Sequence, residues 1–189
     1  MAHHSSFHFP LVGAWEVDQV ENRCRGLHDG IKQLYSTRVA GDAKEPIGGL
    51  FLEHVALTVS DLERSITFYR DVMGLILKRV VEAPPEKRLG DINGLPGCSA
   101  RIAHLYSGDF MLELFEFLHP KGDPTPRKRT QADVGLVHIG FRTSNIHADS
   151  AELKELGVEL FGDPVEFRPG VWVVYFFGPD GEVCELRQI

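Results

Sequence analysis

Apolar residues in the first half of the chain recur in a strand-helix-strand order. The pattern predicts a strand over residues 51–59 and then a helix, which Ser60 or Asp61 caps and Gly74 ends. Residues 90–97 carry turn glycines and are expected to form a loop. Aliphatic and β-branched runs predict three further strands, over 75–82, 100–106 and 110–118. The first half is therefore predicted to fold as one βαβββ module.

The second half repeats this order of elements. A strand is predicted over residues 137–143, followed by a helix that Ser144 or Asn145 caps and Gly157 ends. The remaining apolar runs, with Phe167 between them, predict strands over 158–161, 171–177 and 183–186. The second half is thus predicted to be another βαβββ module.

The two copies keep nearly the same register. His138 follows His54 at almost the same separation as Gly157 follows Gly74. Such self-similarity indicates an internal repeat, and we expect an α+β fold of two tandem βαβββ modules. The predicted segments are a partly helical N-terminal arm over 1–49, module one over 50–118, a linker loop over 119–133 and module two over 134–189.

Charge and composition restrict the class of protein. The formal net charge of −7 disfavours nucleic-acid and anionic-membrane partners, because both require a basic surface. No apolar run reaches the about 18 residues of a membrane-spanning helix. The three cysteines are far apart and have no paired spacing: Cys24, Cys98 and Cys184. We therefore expect a cytoplasmic protein in which nitrogen and oxygen atoms, and no cysteine cluster, hold any metal.

A local basic run is the exception to the acidic composition. Arg127, Lys128 and Arg129 lie in the predicted linker loop. Long loops in compact domains often bind ligands, so this run could hold an anionic tail such as the phosphates of CoA. A solvated loop between the modules is the preferred interpretation of this run.

Two histidines and two glutamates occupy equivalent positions of the repeat. His54 and His138 begin apolar strands, and Glu113 and Glu185 lie within apolar strands later in each half. A single strand histidine is more often structural, but an ionised carboxylate in apolar surroundings is costly unless a cation compensates it. Duplication would bring both pairs together as an N/O ligand set, which suits Zn²⁺, Ni²⁺, Co²⁺, Fe²⁺ or Mn²⁺. Of the histidines that do not repeat, the better pocket candidates are His104 and His119.

The same residues resemble a known superfamily. Residues 53–70 are similar to the first module of the vicinal oxygen chelate superfamily, and residues 175–186 resemble its C-terminal signature. Its members include glyoxalase I, methylmalonyl-CoA epimerase, extradiol dioxygenases and antibiotic resistance proteins. The resemblance implies a cupped mixed sheet around one divalent ion, a small-molecule substrate and a homodimer. It further implies that the metal ligands are His54, Glu113, His138 and Glu185, with Glu113 or Glu185 as the catalytic base.

Three positions bear on the branch of the superfamily. A carboxylate at Glu113 fits the glyoxalase and epimerase branches better than the extradiol dioxygenases. Glyoxalase I grips glutathione with an Arg four residues after its first ligand and an Asn four residues after its second. Here these positions hold Thr58 and Phe117, which cannot replace a charged fork or an amide. Glutathione is therefore not expected as a cosubstrate.

The resemblance implies a divalent-metal-dependent isomerase, epimerase or lyase. Such an enzyme would act through a metal-stabilised enolate on a small carbonyl or thioester substrate. Two alternatives stay open: an Fe(II) extradiol-type dioxygenase, and a metal-free protein that binds or sequesters a small molecule.

Overall fold

The computed structural model describes residues 51–85, 88–123 and 130–189. The chain divides after Phe51, and Leu52–Ile189 is one compact unit. The predicted N-terminal arm over 1–49 and the basic run at Arg127, Lys128 and Arg129 lie outside the described residues. Within the part of the chain described, no helix has the length and apolar character needed to cross a membrane.

Module one is a four-stranded mixed sheet with one main helix. Its strand order is β1-β4-β3-β2, in which β1 and β4 are parallel and the other pairs are antiparallel. The main helix, α1, continues into a π-helical turn at Phe68–Val72. The elements are β1 (His54–Thr58), α1 (Leu62–Thr67), β2 (Ile76–Ala83), α2 (Leu89–Asn93), β3 (Ser99–Ser107) and β4 (Phe110–His119).

Module two has the same topology. Its strand order is β5-β8-β7-β6, again with a parallel first pair and antiparallel partners. The elements are β5 (Ile139–Arg142), α3 (Ile146–Glu155), β6 (Val165–Arg168), β7 (Val171–Phe177) and β8 (Val183–Gln188). The predicted repeat and the α+β fold class are therefore confirmed, with two four-stranded mixed sheets in place of one continuous sheet.

Residues predicted to cap the start of a helix do so in both α1 and α3. Asp61 caps α1, because its Oδ1 accepts a hydrogen bond from the Arg64 backbone N–H at 3.0 Å. Asn145 caps α3 in the same way through the Ala148 N–H at 3.3 Å. The chain leaves each helix at a glycine with positive φ, Gly74 and Gly157, where a side chain would be strained.

Two local predictions were wrong. Residues 158–161 do not form a strand; Leu160 makes only an isolated bridge to Phe176. The edge strand is Val165–Arg168, and its four residues are all exposed, so no apolar alternation marks it. The expected loop over 90–97 includes part of α2, whose five residues are too few for a helical period to appear.

The cores of the two modules meet at the end of α1. In module one α1 packs on β3 and β4, and in module two α3 packs on β7 and β8. Phe68, Met73 and Phe141 pack against both buried clusters. Since Phe68 and Met73 belong to module one, the first module supplies apolar surface to the core of the second.

A polar contact also joins the modules. Asp180, in the turn before β8, accepts hydrogen bonds from the Ser60 N–H at 3.0 Å and from Arg64 Nη2 at 2.6 Å. Of the two predicted cap residues, Asp61 caps α1, whereas Ser60 takes part in the contact with Asp180. Tyr69 is fully buried, and its hydroxyl donates a hydrogen bond to Glu182 Oε1 at 2.5 Å. Burial is the main cause that raises the pKa of Tyr69, so the hydroxyl stays protonated and remains a donor.

The Asp180 contact is expected to make stability pH-dependent. Burial alone would raise the pKa of Asp180, but hydrogen bonds from Ser60 and Arg64 outweigh burial and lower it. A carboxylate with a lowered folded-state pKa stabilises above its unfolded pKa of about 3.9, and this contribution is lost as pH falls through the folded-state pKa. Urea unfolding should therefore show Asp180→Asn less stable than wild type at pH 7, with the difference shrinking near pH 3. A difference that does not change with pH would contradict this assignment.

Candidate metal centre

The two histidine–glutamate pairs occupy equivalent places in the two sheets. Glu113 on β4 lies opposite Ala56 of β1, and Glu185 on β8 lies opposite Gly140 of β5. His54 precedes Ala56 by two residues, as His138 precedes Gly140. Because side chains alternate faces along a strand, each histidine lies on the same face of its sheet as its glutamate.

Each pair places an imidazole nitrogen near a carboxylate oxygen. His54 Nε2 lies 3.8 Å from Glu113 Oε2, and His138 Nε2 lies 3.4 Å from Glu185 Oε2. Two ligand atoms about 2.1 Å from a tetrahedral ion are about 3.4 Å apart. Both pairs therefore form half-sites whose chemistry fits a divalent ion; the His138–Glu185 pair also has the spacing, whereas the His54–Glu113 pair is wider.

Burial favours a cation at both half-sites. The side chains of Glu113 and Glu185 are only 16% and 13% exposed. A carboxylate so far removed from water requires a compensating charge or several hydrogen bonds. The buried Nδ1 of His138 has no hydrogen-bond partner among the described residues. No hydrogen bond at Nδ1 therefore sets the tautomer of His138, and Nε2, the nitrogen nearest Glu185, is the candidate ligand atom.

The four candidate ligands form two separate histidine–glutamate pairs. Among the described residues, no three His, Cys, Asp or Glu side chains are arranged around a common point where an ion could bind. His54 lies with Glu113, and His138 lies with Glu185. The convergence of both pairs on one ion stays a prediction.

Two further side chains contact the glutamates. His104 on β3 lies opposite Glu113, and its Nε2 is 2.9 Å from Glu113 Oε1. Tyr175 on β7 lies opposite Glu185, with its ring centroid 5.2 Å from that of His138. Sequence reasoning named His104 as a pocket candidate and missed Tyr175. The other pocket candidate, His119, is exposed at the end of β4.

The hairpin registers could have located both contacts. Ser107 pairs with Phe110 across the turn between β3 and β4, and counting back three residues on each strand reaches His104 and Glu113. The β7–β8 hairpin leads in the same way to Tyr175 and Glu185. The position of each turn, combined with antiparallel pairing, would therefore have predicted that His104 lies opposite Glu113 and that Tyr175 lies opposite Glu185.

Apolar cavities flank the half-site of module two. One of about 480 Å³ lies beside Glu185 and is lined by Phe161, Phe167 and Tyr175 among others. A second, of about 450 Å³, reaches His138 and shares Phe161 with the first. Both have the size and apolar lining typical of small-molecule pockets.

Another cavity, larger than these two, lies on the opposite face of the sheets. It has a volume of about 790 Å³ and is lined by Leu112, Ile139 and Leu186, together with residues of α3. Leu112 and Leu186 are next in sequence to Glu113 and Glu185, so their side chains point to the other face of the sheet. This cavity is therefore separate from the candidate metal centre.

Comparison with known proteins agrees with this architecture. The family model of the Glyoxalase/Bleomycin resistance protein/Dioxygenase superfamily matches residues 51–186. The chain belongs to this superfamily. A superfamily structure, a glyoxalase family protein from Bacillus cereus, matches with a TM-score of 0.68 at 24% identity, covering 78% of this chain and 97% of that one. The fold is therefore that of the superfamily, as the sequence predicted.

Epimerases are among the curated relatives of this chain. A 2-epi-5-epi-valiolone epimerase from Actinomyces sp is 31% identical over 151 residues, which cover 75% of this chain and 81% of the relative. The mitochondrial methylmalonyl-CoA epimerase of Mus musculus is 31% identical over 144 residues, 72% of each chain. A probable lactoylglutathione lyase from Synechocystis sp. is 24% identical over 140 residues, which cover 74% of this chain and 95% of the relative. Together these similarities support an epimerase or lyase family and do not select one reaction.

Proposed function

We propose that the protein is a divalent-metal-dependent epimerase or lyase, which removes and returns an α-proton of a small carbonyl or thioester substrate. The observation that carries the proposal is the pair of equivalent half-sites. Each places an imidazole nitrogen 3.4 to 3.8 Å from a partly buried carboxylate oxygen. The epimerase relatives support the same class of reaction.

The four side chains would bind the ion, and one or both of the glutamates would also transfer a proton. His54, Glu113, His138 and Glu185 would hold the ion. A bound divalent ion would polarise the substrate carbonyl and offset the negative charge that develops as the α-proton leaves. Glu113 or Glu185 would leave the ion to take the proton and give it back. For epimerisation a proton must be delivered to the face of the carbon opposite the one that lost it, so one of the two carboxylates would take a proton and the other would supply one.

The surroundings of the half-sites favour a substrate other than a glutathione adduct. Thr58 carries no charge, and Phe117 stacks on Phe115 with ring centroids 5.7 Å apart. Phe117 also packs against the buried cluster of Ala83, Ala100 and Ile102. Neither Thr58 nor Phe117 can grip a glutathione carboxylate, whereas the pockets beside Glu185 and His138 suit a mainly apolar group.

Proton exchange in heavy water tests the proposed reaction without a known substrate. Full-length protein loaded in turn with Co²⁺, Ni²⁺, Mn²⁺ or Zn²⁺ is incubated in D₂O with branched acyl thioesters, α-hydroxyketones and hemithioacetals. NMR should detect metal-dependent deuterium incorporation at the α-carbon of a thioester or hydroxyketone, and Glu113→Gln and Glu185→Gln should each slow it by about 100-fold or more. Oxygen consumption with a catechol by Fe²⁺-loaded protein would favour the dioxygenase instead. Binding without exchange or oxygen consumption would favour a sequestering protein.

The homodimer and the cytoplasmic location stay predictions. Light scattering coupled to size-exclusion chromatography tests the first, with a mass near twice the chain mass of 21.1 kDa expected.

A further inference from the structure

We infer that His104 and Tyr175 are positioning residues, which orient the Glu113 and Glu185 carboxylates for the ion. The inference rests on the proposed function. His104 and Tyr175 hold the same cross-strand position relative to the two glutamates, one in each module. Each module thus places a side chain that can donate a hydrogen bond opposite its carboxylate, an imidazole in module one and a phenol in module two.

The protonation of His104 follows from its other partner. Arg79 Nε donates a hydrogen bond to His104 Nδ1 at 2.9 Å. Because a guanidinium has only donors, Nδ1 must be the unprotonated acceptor, and the neutral ring carries its proton on Nε2. That proton points to Glu113 Oε1, 2.9 Å away. Arg79, His104 and Glu113 therefore form a directed chain of hydrogen bonds.

This chain separates the roles of the two oxygens of Glu113. Oε1 accepts from His104, while Oε2 faces His54 at 3.8 Å. A protonated Nε2 cannot bind a cation, so His104 orients a ligand and is not itself one. The imidazole is 7% exposed, so the packing around it leaves little room for another orientation.

Tyr175 has a comparable place beside the second half-site. Tyr175 on β7 pairs in register with Glu185 on β8, so both side chains lie on one face of the sheet, and both line the same cavity. A phenol hydroxyl can donate a hydrogen bond to a neighbouring carboxylate. The Tyr175 ring also lies against His138, with centroids 5.2 Å apart. Tyr175 is thus adjacent to both members of the pair.

Metal affinity measures positioning independently of any substrate. Partners that orient metal ligands typically contribute about 10- to 100-fold to metal affinity. Calorimetric titration of chelator-treated, full-length protein with Zn²⁺ or Co²⁺ should show a loss of that size in His104→Leu and in Tyr175→Phe. The second change removes only the hydroxyl and keeps the ring against His138. His104→Gln supplies an amide donor and should recover part of the affinity.

Two comparisons separate positioning from a general structural effect. His147 lies on α3 against Trp172, with ring centroids 4.8 Å apart, and His147→Leu should leave the affinity within about twofold of wild type. Arg79→Met should weaken binding in the wild-type background and have no further effect when His104 is already Leu. If His104→Leu unfolds, as circular dichroism would show, His104→Gln, Arg79→Met and Tyr175→Phe still decide the question.

The outcomes distinguish this inference from the proposed function. If wild type binds no ion, or Glu113→Gln binds as tightly as wild type, the metal centre itself is wrong. If Glu113→Gln weakens binding while His104→Leu and Tyr175→Phe stay within about twofold of wild type, only the positioning role is overturned.

Discussion

Replacing Glu113 by Gln is expected to lower the affinity for a divalent ion by at least about 100-fold, beyond the range typical of partners that only orient a ligand. The change keeps the size and shape of the side chain but removes the negative charge with which a carboxylate ligand neutralises the ion. Calorimetric titration and elemental analysis of protein purified without chelator measure the loss. Metal-dependent proton exchange should fall with it.

His138→Ala tests the same site from the other module and should cause a comparable loss of affinity. The matched control is Glu116→Gln, on the same strand as Glu113 and also partly buried. Glu116 pairs with Arg101 at 3.3 Å and does not belong to either half-site. Its replacement should leave the affinity within about twofold of wild type. Full metal content in Glu113→Gln or in His138→Ala would show that these side chains are not ligands.

Replacing Phe176 by Ala is expected to destabilise the protein by about 3–5 kcal/mol, a large share of the about 5–15 kcal/mol typical of a folded domain. Phe176 is fully buried in the core of module two. Phe68, Val72 and Met73 from module one pack against that same core. The cavity would therefore weaken the packing within module two and the packing between the modules.

Urea unfolding at neutral pH measures the effect of Phe176→Ala. Phe167 on β6 provides the control, since it is 77% exposed and its replacement by Ala should change stability by no more than about 0.5 kcal/mol. A loss below about 1 kcal/mol in Phe176→Ala would contradict the packing described for this core.

The helices and strands were predictable wherever their burial determines which positions along the sequence are apolar. In β4 both faces are largely buried, which produces the continuous apolar run around Glu113. The caps of α1 and α3 were predictable because Asp61 and Asn145 are side chains that satisfy the first N–H groups of a helix. The edge strand β6 was not, since its residues face water and no core selects their polarity.

The candidate metal centre was predictable only through the repeat. A histidine or a glutamate alone has an ordinary structural explanation, and it is the second copy that makes His54 and Glu113 a candidate pair. The contacts from His104 and Tyr175 depend on cross-strand register, which local apolar patterns do not specify. The spacing within each half-site likewise required side-chain positions.

The central claim is that one ion is held by both half-sites together. Crystals grown with Co²⁺ and measured at the cobalt absorption edge test it most directly. We predict one anomalous peak per chain, about 2.0–2.2 Å from a nitrogen of His54 and of His138 and from an oxygen of Glu113 and of Glu185. Separate peaks at the two half-sites, or a peak that touches only one of them, would contradict the claim.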